Sequence, residues 1–278
     1  MNQINMRFPG GRVRAFTMSY DDGVEQDVRL ISIMKKRGVK GTFNLNSGLY
    51  APEGTVYPAG QVHRRMTRDM CLKTYDSELC EVAVHGSTHP FWNRMPAGAR
   101  AMDVIRDRVS LENGFKRIVR GAAYPYGCYD EATVEALRSA GIVYCRTVHS
   151  THSFDLPRNW LTLDPTCHHD DPKLDELVDR FLNLSGADTP RLFYLWGHSY
   201  EFEQKDNWQV IENCLDRVGG LADVWYATNI EIYDYVKAYE ALVFSAEGTT
   251  VFNPTGREIW LCRDGITYAV NSGECRQI

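Results

Sequence analysis

The chain has 278 residues, 44% of them apolar and 24% charged, with a formal net charge of −5. That length can bury one α/β barrel or two modest domains, and the composition is ordinary for a globular protein. The negative balance offers no footprint for nucleic acid, and no apolar run approaches the about 20 residues that a membrane span needs. The opening stretch MNQINMRFPGGRVRA carries no apolar export segment, so a cytoplasmic location is the expectation. Eight cysteines are scattered with no CxxC pair and read as mostly buried thiols.

In chain order, the first strong signal is FTMSYDDG (16–23), an apolar run that ends in two adjacent acids and a glycine. Asp-Asp-Gly is good turn chemistry, so this stretch alone reads most simply as a strand closed by a turn. VEQDVRLISIMKKRG (24–38) places Val24, Val28 and Ile31 on one helical face, with three basic residues before the terminating Gly38. VKGTFNLN (39–46) is a second strand, and this order with short joins predicts a parallel βαβ unit. Further strands are predicted at CEVAVH (80–85), RIVRGAAY (117–124), IVYCRTV (142–148), RLFYLWGH (191–198) and DVWYAT (223–228). Helices are predicted at 97–112, 131–141, 171–184, 207–220 and 230–242. Such alternation predicts a (β/α) barrel; an open doubly wound sheet is disfavoured because no Gly-rich phosphate turn follows the first strand. From Val243 the pattern changes to LVFS, TVFN, EIWLCR and GITYAV, short strands separated by turns. The expected organisation is a catalytic barrel over 1–242 and a small β appendage over 243–278 packed on it.

In a parallel barrel the C-terminal strand ends gather at one face. Asp21 and Asp22 end the first strand, His85 ends EVAVH with His89 four residues on, and His198 ends LFYLWGH. A helical turn would put the two imidazoles of HGSTH on one side, although Pro90 limits its run. Two histidines and an aspartate with open positions suit a catalytic zinc. They also suit non-haem iron, and an iron oxygenase is a competing reading that predicts oxygen consumption. If Asp22 binds the cation, Asp21 remains as a general base, and His198 could protonate a leaving group from the opposite side.

SYDDG, HGSTH, RGAAYPYG and WGHS, in this order, resemble the successive motifs of the NodB-homology polysaccharide deacetylases, carbohydrate esterase family 4. The resemblance runs from about Phe16 to Ala241 and leaves out the β tail. It implies a distorted (β/α)7 barrel that hydrolyses N- or O-acetyl groups on a sugar or polysaccharide with one divalent metal ion. Zinc is the expected ion, with cobalt, nickel or iron as substitutes. By the same resemblance Asp21 is the base, Asp22, His85 and His89 are the metal ligands, and His198 is the general acid. The N–H of Tyr126, after Pro125, would face the oxyanion.

Three departures stand out. Tyr20 occupies a place where the family pattern has Phe. The arginine expected two residues before the proline is missing, which leaves Arg120 or Arg158 to orient the base. The fourth motif, Asp-x-x-Asp-Trp, is absent, although Trp160 falls near its place and, with Trp196, is a candidate pocket wall. The resemblance also admits hydrolysis of another non-peptide C–N bond, or a carbohydrate-binding relative without turnover. The intact DD, HxxxH and WGH set argues for turnover. CHHDD (167–171) reads as a polar loop leading into a helix in preference to a second metal site, and His63, His149 and His152 read as ordinary surface or loop histidines. Cys128 reads as a packed thiol.

Overall fold

A computed structural model describes residues 4–184 and 188–278. After β1 (Ile4–Arg7) the alternating part begins: β2 (Arg14–Asp21), α1 (Asp27–Arg37), β3 (Gly41–Leu45), α2 (Arg68–Thr74) and β4 (Cys80–Val84). It continues with α3 (Ala97–Phe115), β5 (Gly121–Ala123), α4 (Glu131–Ser139), β6 (Tyr144–Arg146), β7 (Cys167–His168) and α5 (Leu174–Leu182). β8 (Arg191–Gly197), α6 (Tyr200–Gln204), α7 (Gln209–Val218), β9 (Val224–Tyr226) and α8 (Asn229–Glu240) complete it.

The strands lie in the order β6-β5-β4-β3-β2-β8-β7, parallel throughout. β2 is the central strand. One of its edges is shared, with β9 pairing Arg14–Phe16 and β3 pairing Ser19–Asp21, while β8 takes the other edge. Between the ends of the sheet, Leu163 makes a parallel bridge to Arg146 and narrows the gap. This curled sheet with its flanking helices is a distorted (β/α)7 barrel, as the resemblance implied.

Local chemistry explains the helix limits. α1 starts at Asp27, later than the apolar period alone suggests, because Val24 is drawn into a bridge with Arg65. It stops at Gly38, whose φ of 65° lets its N–H reach back to the Lys35 and Met34 carbonyls. α8 opens with a capping box in which the Thr228 hydroxyl takes the Glu231 N–H and the Glu231 carboxylate takes the Thr228 N–H. All eight cysteines are free, and six of them are buried.

The chain ends in β10 (Val243–Phe244), β11 (Thr250–Phe252), β12 (Ile259–Arg263), β13 (Ile266–Val270) and β14 (Cys275–Gln277). They form two three-stranded antiparallel sheets, β10-β11-β14 and β1-β12-β13. The first strand of the chain therefore joins the C-terminal β unit, not the barrel within whose limits the sequence had placed it. The turn Pro9–Gly11 after β1 separates the two, with Gly10 at φ 76°. Tyr235 of α8 ties the parts together, donating to the Arg7 carbonyl at 2.8 Å and accepting from the Trp260 N–H at 2.9 Å. Met6, Phe8, Ile259 and Leu261 share one buried apolar cluster with Ala15, Leu192 and Tyr194 of the barrel.

Candidate active site

β2 carries Asp21 to the C-terminal mouth of the sheet and ends there. Asp21 is buried; its Oδ1 accepts from Asn44 Nδ2 at 2.7 Å, and its Oδ2 takes the guanidinium of Arg146. Burial alone would raise this carboxyl's pKa, but Arg146, then His85 and His198, outweigh it and hold it below the usual carboxylate range. Asp22 leaves the strand with φ 84°, a left-handed conformation that turns its side chain away from its neighbour's. Arg65 locks that turn, donating to the Asp22 carbonyl at 2.6 Å and to its Oδ1 at 2.9 Å. His63 Nε2 lies 3.2 Å from Asp22 Oδ2, so this histidine, in a loop as the sequence reading allowed, belongs to the site. Burial opposes ionisation of Asp22 too, yet the His63 contact and Arg65 keep its carboxyl far below the usual range.

HGSTH forms a tight turn, not the helical turn suggested by its spacing: Gly86 has φ 75° and His89 φ 52°. A Cβ on Gly86 would sit 2.7 Å from the Pro90 ring, so this bend needs glycine. Asp107 of α3 anchors it by accepting the N–H groups of Ser47 at 2.8 Å and His85 at 3.1 Å. The turn brings the Nε2 atoms of His85 and His89 to 3.1 Å from each other.

The donor chemistry fits a divalent ion. His85 Nδ1 donates to the Ala123 carbonyl at 2.9 Å, which puts the lone pair of the neutral ring on Nε2. Burial lowers the pKa of both histidines, that of His89 to about 4, so both rings are neutral and free to ligate at neutral pH. Ligand atoms of Asp22, His85 and His89 all lie within 4.8 Å of one another. Donors about 2.0–2.1 Å from a tetrahedral zinc are about 3.3 Å apart, comparable with the 3.1 Å found between the imidazoles.

The arginine at Asp21 corrects the sequence reading. Arg120 precedes β5, at the opposite end of the barrel from the site, and pairs with Asp234 of α8 at 2.7 Å. Arg158 lines a separate cavity with Thr151, Asp155 and Asn159. The partner of Asp21 is Arg146, the last residue of β6, fully buried with its guanidinium 4.3 Å from the Trp196 ring. A charged residue closing an apolar strand, as in IVYCRTV, was the available signal. Trp160 does not wall this site either; it packs edge-on against Tyr233 in the cluster shared with the β unit. We expect Arg146→Met to cost about 3–5 kcal/mol in urea unfolding, since it strands the Asp21 carboxylate, and to depress kcat/KM, whereas Arg120→Gln leaves kcat/KM near wild type.

β8 pairs directly with β2, so His198 stands beside Asp21, its Nε2 3.7 Å from Oδ2, and not across the mouth as its distance along the chain suggested. Burial disfavours its charged form, but Glu201, then Asp21, reverse the balance and raise its pKa. Tyr126 follows the buried Pro125 with φ 58°. The N–H groups of Gly127 and Cys128 are used inside that turn, while the Tyr126 N–H has no partner among the described residues. Asp21, Asp22, His85, His89, Tyr126, Trp196 and His198 line one cleft of about 580 Å³, which also takes in His63, Arg65 and Tyr200.

Fold and cleft together define a distorted (β/α) barrel with acids and imidazoles gathered at its C-terminal mouth. The polysaccharide deacetylase family model matches residues 10–145, a span that includes SYDDG, HGSTH and PYG and ends before His198. That span is just under half of the chain, and over it the chain is similar to the polysaccharide deacetylases. A Mycobacterium smegmatis structure assigned as a polysaccharide deacetylase superposes with a TM-score of 0.58 at 15% identity, covering 86% of this chain and 96% of that one. A family 4 carbohydrate esterase from Streptomyces lividans, in complex with acetate, gives a TM-score of 0.49 at 11% identity over 78% of this chain and 93% of that one. The Streptococcus pyogenes deacetylase PplD, also with acetate, gives 0.45 at 16% identity over 52% of this chain and 61% of that one. A search among curated proteins returns no significant match.

Proposed function

We propose that the protein removes acetyl groups, N- or O-linked, from a carbohydrate, using one divalent ion at Asp22, His85 and His89, with zinc the expected ion. The observation that carries this is the pair of converging Nε2 atoms beside Asp22, with the His85 tautomer set by the Ala123 carbonyl. Lewis acidity toward a water molecule and toward the acetyl carbonyl is what the ion supplies when bound.

The remaining chemistry belongs to the chain. Asp21, kept anionic by Arg146 and oriented by Asn44, accepts the proton of the attacking water. The Tyr126 N–H donates to the oxygen that gains charge as the carbonyl becomes tetrahedral, a contribution of about 3 kcal/mol for such a donor. His198 gives its proton to the departing amine or alcohol. Trp196 covers the Arg146 guanidinium and limits the access of water to the Asp21 pair.

The test is acetate release from a panel of N- and O-acetylated sugars, before and after chelation and with single metals added back. Chelation should lower release at least about 10²-fold, and zinc should restore it. Undiminished turnover after metal content has fallen below a tenth of an equivalent would falsify the metal role. Loss of ammonia or another amine without acetate would identify a different C–N bond as the target.

A further inference from the structure

The CHHDD segment does not behave as a plain polar loop. Its first two residues form β7 alongside β8, and the segment brings His168 and His169 against Glu201 of α6. His168 Nε2 and His169 Nε2 each lie 3.2 Å from Glu201 Oε2, and His198 Nδ1 lies 3.4 Å from Oε1. Three imidazoles thus surround one carboxylate, and only His198 reaches the cleft. We propose that Glu201, clamped by His168 and His169, is the positioning residue that holds His198 in place to protonate the leaving group. This rests on the function proposed above.

The clamp is built into the fold. His169 is fully buried, and its Nδ1 lies 3.3 Å from the Tyr20 hydroxyl. Its ring stacks on Tyr20, at 5.7 Å and 9°, and lies 4.1 Å from Phe202. The tyrosine that replaces the family's phenylalanine thus supports the second layer of the site. Gly197 leaves the room this needs, since a Cβ there would fall 2.0 Å from His169 Nδ1. His168 packs edge-on against Trp196 at 4.6 Å. Glu201 lies in the first turn of α6, three residues after His198 at the end of β8, so the short join between them fixes the spacing of both groups. Glu201 is the acid that faces the Nδ1 side of the His198 ring.

His168, His169, Asp170 and Glu201 also lie close enough to hold a cation. Two contacts oppose that reading. The Asp170 N–H donates to His168 Nδ1 at 3.1 Å, so a neutral His168 carries its proton on Nε2, toward Glu201. In His85 the arrangement is the reverse, with the lone pair left on Nε2. The Asp170 carboxylate, moreover, is already paired with Lys205. His169 Nε2 and His198 Nδ1 meet Glu201 as ion-pair contacts without hydrogen-bond geometry, and the engagement of His168 Nδ1 and of the Asp170 carboxylate elsewhere tells against a shared metal.

The experiment compares the metal-loaded wild type with Glu201→Gln and Glu201→Asp on an acetylated amino sugar and on an aryl acetate. Bound metal is counted by elemental analysis, and folding is followed by thermal melting. Glu201→Gln should lower kcat on the amide by about 10–100-fold with KM little changed, and should alter the aryl acetate rate less than about threefold. Glu201→Asp should recover part of the amide rate, which keeps the test informative if the Gln variant melts early. Equal losses on both substrates, or no loss on either, overturn the proposal. Two ions per wild-type chain with one lost in Glu201→Gln overturn it in favour of a second metal site. If His198→Ala separates the two substrates and Glu201→Gln does not, only this inference fails; if neither substrate releases acetate in the wild type, the proposed function fails first.

Discussion

Asp21→Asn is expected to lower turnover by about 10²–10⁴-fold, the range for loss of a general base, while the affinity for the divalent ion stays nearly intact. The two adjacent acids face different partners. Asp21 is held by Asn44 and Arg146, whereas Asp22 turns at φ 84° toward His63 and Arg65 beside the two imidazoles. Asn at position 21 keeps an oxygen for Arg146 and loses the capacity to take a proton. Asp22→Asn removes the anionic ligand, so it should weaken the ion itself, and activity should return in part at high metal concentration. Titration calorimetry with zinc and turnover at saturating zinc, measured on both variants, separate these outcomes. If the two variants lose the metal to the same extent, the division of labour between Asp21 and Asp22 is wrong.

The second large effect concerns the leaving group. His198→Ala should reduce kcat/KM on an N-acetyl sugar by about 10²–10⁴-fold, because an amine departs only once protonated. An aryl acetate expels a stabilised phenolate, so its hydrolysis should fall far less. His198 is well placed for this: it is at the mouth, beside Asp21 at 3.7 Å, with its pKa raised by Glu201 and then Asp21 against the effect of burial. The proximity means that one residue pair can receive the proton from water and return one to the amine over a short path. Comparable losses on the two substrates would reassign His198 to substrate positioning.

The main alternation of strands and helices, the parallel sheet and the motif residues at strand ends were legible in the sequence, whereas β1, α2, β7 and α6 were not. These are local properties: apolar period, caps and turn residues act within a few positions, and a parallel strand delivers its last residue to one face whatever its neighbours are. Asp21, Asp22, His85, His89 and His198 therefore meet in one cleft, as their strand-end positions predicted. What only the tertiary structure decided was partnership across long sequence separations. Arg120 precedes a strand and Arg146 ends one, so only Arg146, which the sequence reading passed over for Arg120 and Arg158, reaches Asp21. Trp160 was judged by its distance along the chain from a motif, and chain distance does not fix which core a side chain enters. The pairing of β1 with β12, the place of His63 beside Asp22, and the closing of His168 and His169 on Glu201 depend on register and loop path. Those are set by the packing of the whole chain, since each of these contacts joins segments that carry no local signal for one another.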